Sequence, residues 1–108
     1  MLAKERNGRM IEDTSRAELD KEKLIDILTE ELPSLRAKIG LTQEELSDII
    51  GISRPTYSVI EAKKRCMSWN VYLSLLMFFT QNDKTVEIVH SIGAFPIELR
   101  ELLNINNR

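Results

Sequence analysis

Residues 42–61 read Thr42-Gln43-Glu44-Glu45-Leu46-Ser47-Asp48-Ile49-Ile50-Gly51-Ile52-Ser53-Arg54-Pro55-Thr56-Tyr57-Ser58-Val59-Ile60-Glu61, and this stretch decides the fold. It holds two helix starts. Thr42 and Glu45 have capping-box spacing, in which the hydroxyl takes an open amide of the first turn and the carboxylate reaches back to the cap. Leu46, Ile49 and Ile50 follow at helical intervals, which predicts a helix of about eight residues. Gly51 stops that helix, because glycine adopts a positive φ without steric cost. Ser53 can cap a second helix, with Pro55 in its first turn where a missing N–H costs little. Ser47 is small enough for two helix backbones to cross closely. Leu46, Ile50, Ile52, Tyr57 and Ile60 can hold the pair together, leaving Ser53, Arg54, Pro55, Thr56, Ser58 and Val59 facing outward.

Upstream, Ser15-Arg16-Ala17-Glu18 repeats the capping-box spacing, and Leu24, Ile27, Leu28, Leu32, Leu35 and Ile39 recur at helical intervals behind it. A helix beginning near Ala17 or soon after and ended by Gly40 is expected. Pro33 lies inside this pattern, where it removes a backbone donor and crowds the preceding turn, so a kink or break is expected near Leu32 and Pro33. Downstream, the basic run Lys63-Lys64-Arg65 leads to Ser68, a third N-cap, and to an apolar helix from Trp69 to about Thr80. Gln81-Asn82-Asp83 reads as a turn, Lys84 to about Ile92 as another helix, and Pro96 to Leu103 as a last one. Val86, Ile88 and Val89 favour strands slightly, but an isolated strand has nothing to pair with. The reading is an all-α domain of four to five helices with an N-terminal helical extension. Residues 1–14 read as a flexible arm, 15–93 as the domain, and 94–108 as a tail.

A chain of 108 residues supports one compact core and is short for two domains. Its net charge of −2 is unevenly spread: residues 1–32 carry −3, residues 33–68 carry +2 and residues 69–108 carry −1. The basic middle coincides with the helix pair. One Cys and one His exclude an intrachain disulfide and any metal-ligand set of ordinary spacing. No secretory signal is read at the start, and the longest apolar run, Leu75-Leu76-Met77-Phe78-Phe79, is far below the roughly 20 residues that cross a bilayer. A soluble cytoplasmic protein without membrane contact is expected. No clustered acid, base and nucleophile suggests an enzyme, and no cofactor is implied. Trp69, Tyr72, Phe78 and Phe79 read as core or interface, His90 as incidental, and Cys66 as a thiol beside the basic run.

From Leu35 to Glu61, with the surrounding pattern from about residue 24 to residue 80, the chain resembles the lambda-repressor-like, Cro/C1-type (XRE) helix-turn-helix family. The resemblance implies a lambda-repressor-like fold and binding to double-stranded DNA, with the second helix of the pair entering the major groove. It implies that Ser53, Arg54, Pro55, Ser58 and Val59 meet base edges, and the outward Thr56 beside them is a further candidate for base contact. Gln43 stands where the family touches a phosphate, and Lys63, Lys64 and Arg65 follow the recognition helix where they face the DNA backbone. Arg36 and Glu61 match the family's structural ion pair between its first and third helices. Two departures are visible: Lys63 stands where many members have Gly, and Pro55 donates no hydrogen bond, so base discrimination leans on Arg54.

The function implied is a sequence-specific transcriptional regulator, a repressor, working as a homodimer because a single reading head covers few base pairs. Two other readings stay open. The same domain can serve as the antitoxin of a toxin-antitoxin pair, regulating its own operon while an arm or tail binds the toxin, or as an adaptor that binds protein instead of DNA.

Overall fold

Leu24, Leu28, Leu32 and Leu35 form one buried stripe, each at most 5% exposed, on a helix that runs without interruption over Lys21–Ile39 (α1). The structure, a computed structural model, describes residues 19–104. The arm of residues 1–14 and the capping box Ser15-Arg16-Ala17-Glu18 lie outside the described residues. Pro33 sits inside α1, so the expected break is absent. Proline removes one donor from the ladder, and the stripe on both sides of it is fully packed. Burying a leucine contributes about 1.5–3 kcal/mol, so four of them outweigh an interior proline at about 3 kcal/mol. Pro33 itself is exposed.

The next two helices follow the expected boundaries: α2 is Gln43–Ile50 and α3 is Arg54–Glu61. Thr42 and Glu45 form the reciprocal capping box, with the Glu45 amide donating to Thr42 Oγ1 at 3.0 Å and the Thr42 amide donating to Glu45 Oε1 at 2.9 Å. Gly51 has φ 84°, and the amides of Gly51 and Ile52 both donate to the Ser47 carbonyl, closing the turn between the helices. Ser47 is fully buried at the crossing, and its hydroxyl donates back to the Glu44 carbonyl. Leu46, Tyr57 and Ile60 are buried with it, while Ile50 and Ile52 are half-buried. Ile49 instead lies 53% exposed.

Helix α4, Trp69–Thr80, is capped by Ser68, whose hydroxyl accepts from the Val71 amide. Tyr72, Leu75, Leu76 and Phe79 are its buried face, whereas Phe78 and Trp69 are half-buried. Trp69 stacks on Tyr72 with centroids 4.8 Å apart and lies beneath the Lys21 ammonium, which ties the start of α1 to the start of α4. Helix α5, Val86–Ser91, is shorter than the sequence pattern suggested, because residues 82–85 are taken up by a turn. In that turn the buried Thr85 hydroxyl donates to the Phe79 carbonyl at 2.7 Å, satisfying a carbonyl at the end of α4. The Tyr72 hydroxyl donates to the carbonyl of the buried Ala94. Burial pushes both Tyr57 and Tyr72 well above the ordinary phenol value.

These five helices make up one unit, Lys21–Pro96. A further helix, α6, covers Ile97–Leu103, with Leu99 buried and Ile97, Leu102 and Leu103 about half-exposed. All six helices are α, and no strand occurs among the described residues. The all-α, lambda-repressor-like reading of the sequence is the architecture observed. No helix among the described residues is long and apolar enough to cross a membrane.

Candidate nucleic-acid interface

Helix α3 presents two faces of different chemistry. Tyr57 and Ile60 point into the core; Arg54 and Pro55 are exposed, and Thr56, Ser58 and Val59 are half-exposed. Ser53 caps the helix, accepting from the Thr56 amide at 3.2 Å and donating to Thr56 Oγ1 at 2.8 Å. Its hydroxyl proton is therefore already used inside the protein, while the Thr56 hydroxyl keeps its own proton to offer. Arg54 is the first residue of α3 and Pro55 the second, so the helix begins with a long cation beside a rigid apolar ring. Among the described residues no partner holds the Arg54 guanidinium.

The helix ends in a basic loop held by backbone bonds. Lys63 has φ 66°, the one non-glycine residue with positive φ among those described, and its amide donates to the Ile60 carbonyl while that of Lys64 donates to Val59. This is the position at which a helix end prefers glycine, and it explains why the Gly-to-Lys departure seen in the sequence matters. Lys63, Lys64 and Arg65 are all exposed. Lys63 Nζ lies 2.6 Å from Glu30 Oε1 on α1, whereas Lys64 and Arg65 make no ion pair among the described residues.

Beneath α3, three side chains converge on Glu61 through four hydrogen bonds. The Arg36 fork donates from Nε to Oε1 at 3.2 Å and from Nη2 to Oε2 at 2.8 Å, and its third nitrogen, Nη1, holds the Leu41 carbonyl in the loop before α2. Tyr57 Oη donates to Oε1 at 2.6 Å and Gln43 Nε2 to Oε2 at 3.3 Å. The Glu61 side chain is only 9% exposed. Burial by itself pushes its carboxyl up, but the bonds from Arg36, Tyr57 and Gln43 together outweigh burial and hold it below the ordinary glutamate value. The bond to Glu61 raises the Arg36 guanidinium further, and Tyr57 is raised first by burial and then by the same carboxylate. One carboxylate thus ties α1, the start of α2 and both turns of α3 into a fixed relation.

The sequence identified Arg36 and Glu61 but placed Tyr57 in the core as an apolar anchor only. The four-residue spacing of Tyr57 and Glu61 on one helix was the available signal. Gln43 is half-buried with one amide hydrogen on Glu61, which leaves its second amide hydrogen for a group outside the protein. The pairing of Lys63 with Glu30 joins residues 33 apart and had no local signature.

A tight turn, a small residue at the crossing, an inward Tyr and Ile, and an outward Arg at the head of the second helix are the geometry of a helix laid in a DNA groove. Residues 34–68 match the family model described as Helix-turn-helix. This segment is a Cro/C1-type helix-turn-helix domain. The match spans both helices of the motif, the end of α1 and the basic loop, and it supports a DNA-binding regulator of the helix-turn-helix kind. No curated protein and no solved structure matches it. Among the described residues there is no group of three side chains suited to hold a metal ion.

Proposed function

We propose that this helix-turn-helix protein is a sequence-specific transcriptional repressor that binds double-stranded DNA as a homodimer in the cytoplasm. The observation that carries the reading is the exposed Arg54 at the head of α3, with Lys64 and Arg65 at its foot, all three without an ion-pair partner among the described residues. Arg54 reads a base edge, with bidentate contact to guanine as the strongest option, worth about 1–3 kcal/mol of discrimination. Pro55 and Val59 offer apolar contact to a thymine methyl, and Thr56 and Ser58 offer hydroxyls. Ser53 shapes the helix start more than it reads, since its hydroxyl is engaged in the cap. Gln43, Lys64 and Arg65 bind phosphates and set the register, while Lys63 is partly engaged elsewhere.

Repression follows from occupancy, since a protein seated in the major groove over a promoter blocks other proteins from the same base pairs. Dimerisation is argued from the size of the reading head. One short helix covers too few base pairs for a unique site, and two copies reading half-sites about 34 Å apart solve the problem. The half-exposed Ile97, Leu102 and Leu103 of α6 are the apolar surface that a second copy would cover. Selection from a random duplex pool with the purified chain, followed by salt titration of the recovered site, tests the reading. A two-fold-symmetric site is expected, with affinity falling steeply as salt rises and the slope flattening in the chain carrying Lys63→Ala, Lys64→Ala and Arg65→Ala. Recovery of no preferred sequence, or a salt slope unchanged by the triple substitution, would overturn it.

A further inference from the structure

Three cations follow the recognition helix, yet they are not equivalent. Lys63 leaves the chain at a left-handed residue fixed by two flanking backbone bonds, and its ammonium is seated on Glu30 of α1 at 2.6 Å. Lys64 and Arg65 carry no such partner among the described residues. Glu30 and Asp26, one helical turn apart on α1, line a groove of about 380 Å³ together with Lys63 and Arg65. An acidic edge therefore borders the basic loop.

We propose that Glu30 withholds Lys63 from the DNA backbone and so sets how many phosphates the loop engages; the inference rests on the DNA-binding reading given above. A phosphate that takes Lys63 must displace a carboxylate already there. The displaced Glu30 is then left uncompensated beside the polyanion. Lys63 consequently releases little counterion on binding, and the loop acts as two cations where the sequence shows three. Because phosphate contacts are blind to base sequence, muting one of them lowers affinity for all duplexes alike and leaves the share of binding that comes from Arg54 larger. Both partners of the pair are more than half exposed, at 56% and 65%, so the contact is weak enough to be broken by a substitution without loss of the fold.

The test is a double-mutant cycle on duplex binding between about 50 and 200 mM salt. Glu30→Gln keeps the size of the side chain and removes its charge. It is expected to tighten binding of random-sequence duplex by about fivefold, the upper range for an exposed pair, and to steepen the log-log salt dependence by about 0.9. In a Lys63→Ala background the same substitution should do neither. Asp26→Asn, which removes a neighbouring charge that has no bond to Lys63, is the control for the general field and should have the smaller effect.

An unchanged affinity in Glu30→Gln, with wild type binding normally, overturns the inference alone. An effect that persists in the Lys63→Ala background assigns it to the overall field and also overturns it. Weaker binding by Glu30→Gln would mean that Glu30 positions Lys63 for the phosphate, the reverse of the proposal. A wild-type chain that binds no duplex overturns the DNA reading itself, and this inference with it.

Discussion

Replacing Glu61 by Gln removes one charge and keeps the shape, and its cost can be worked from the bonds that converge there. The carboxylate accepts two bonds from Arg36, one from Tyr57 at 2.6 Å and one from Gln43 at 3.3 Å. A hydrogen bond to a charged group contributes about 1.5–3 kcal/mol. Glutamine retains one carbonyl oxygen, which can keep Tyr57 or one Arg36 nitrogen, but its amide group faces the remaining donors as a donor. Arg36, 21% exposed and still bonded to the Leu41 carbonyl, recovers part of the loss through water. The expected loss is therefore about 2–3 kcal/mol, below the roughly 3–5 kcal/mol for breaking a fully buried pair. For a domain of this size that lowers the melting temperature by about 10–20 °C. The carboxyl also makes the stability of the wild type depend on acid. Its folded pKa lies below the ordinary 4.5, so just beneath that value the unfolded chain binds more protons than the folded one. The contribution is complete above about pH 5 and is lost as pH falls through the folded value; Glu61→Gln should lack this component. Urea denaturation followed by circular dichroism at pH 7 and pH 4 measures both. A loss under about 0.5 kcal/mol at pH 7, or an acid dependence as steep as in the wild type, would refute the reasoning.

Arg54→Ala should relax preference at one base position in each half-site, whereas Gln43→Ala should weaken binding to all sequences alike, as competition with a panel of single-base variants of the selected site would show. Lys63→Gly should raise stability by about 0.5 kcal/mol. It relieves a left-handed residue costing about 1–2 kcal/mol against greater unfolded-state freedom and a weak surface pair; the urea midpoint reads this, and Lys63→Ala, which keeps the strain, should show no gain. Ile97→Glu with Leu103→Glu changes exposed positions only, so it should leave a folded chain that sediments as a monomer if α6 is the dimer contact. A dimer of unchanged mass would place the interface elsewhere.

Local signals carried the helices well where they were self-contained. The capping box at Thr42 and Glu45, the positive φ at Gly51, and the caps Ser53 and Ser68 need only residues within one turn of each other, and all four stand as the sequence implied. Pro33 misled because its effect depends on the leucines packed on either side, and that packing is tertiary. Ile49 fell on the helical interval of the apolar positions, yet burial on a short helix is decided by which neighbours reach it, and none covers more than about half of it. For the site, residue types and their helix face could be read, but commitments between them could not. That Gln43 shares Glu61, that Ser53 spends its proton on Thr56, and that Lys63 is seated on Glu30 are properties of the folded arrangement.

The closing of the turn at Gly51 has a bearing on how such a protein can change its target. The angle between α2 and α3 is set by two amides on the Ser47 carbonyl, a buried serine, and the inward Tyr57 and Ile60, none of which belongs to the outward face of α3. Arg54, Pro55, Ser58 and Val59 make no side-chain hydrogen bond or ion pair among the described residues. They are a replaceable alphabet on a fixed holder. On the DNA-binding reading proposed above, exchanging them would rewrite the operator at small energetic risk to the domain, so a lineage, or an engineer, would reach new binding sites through α3 substitutions without first acquiring stabilising changes elsewhere.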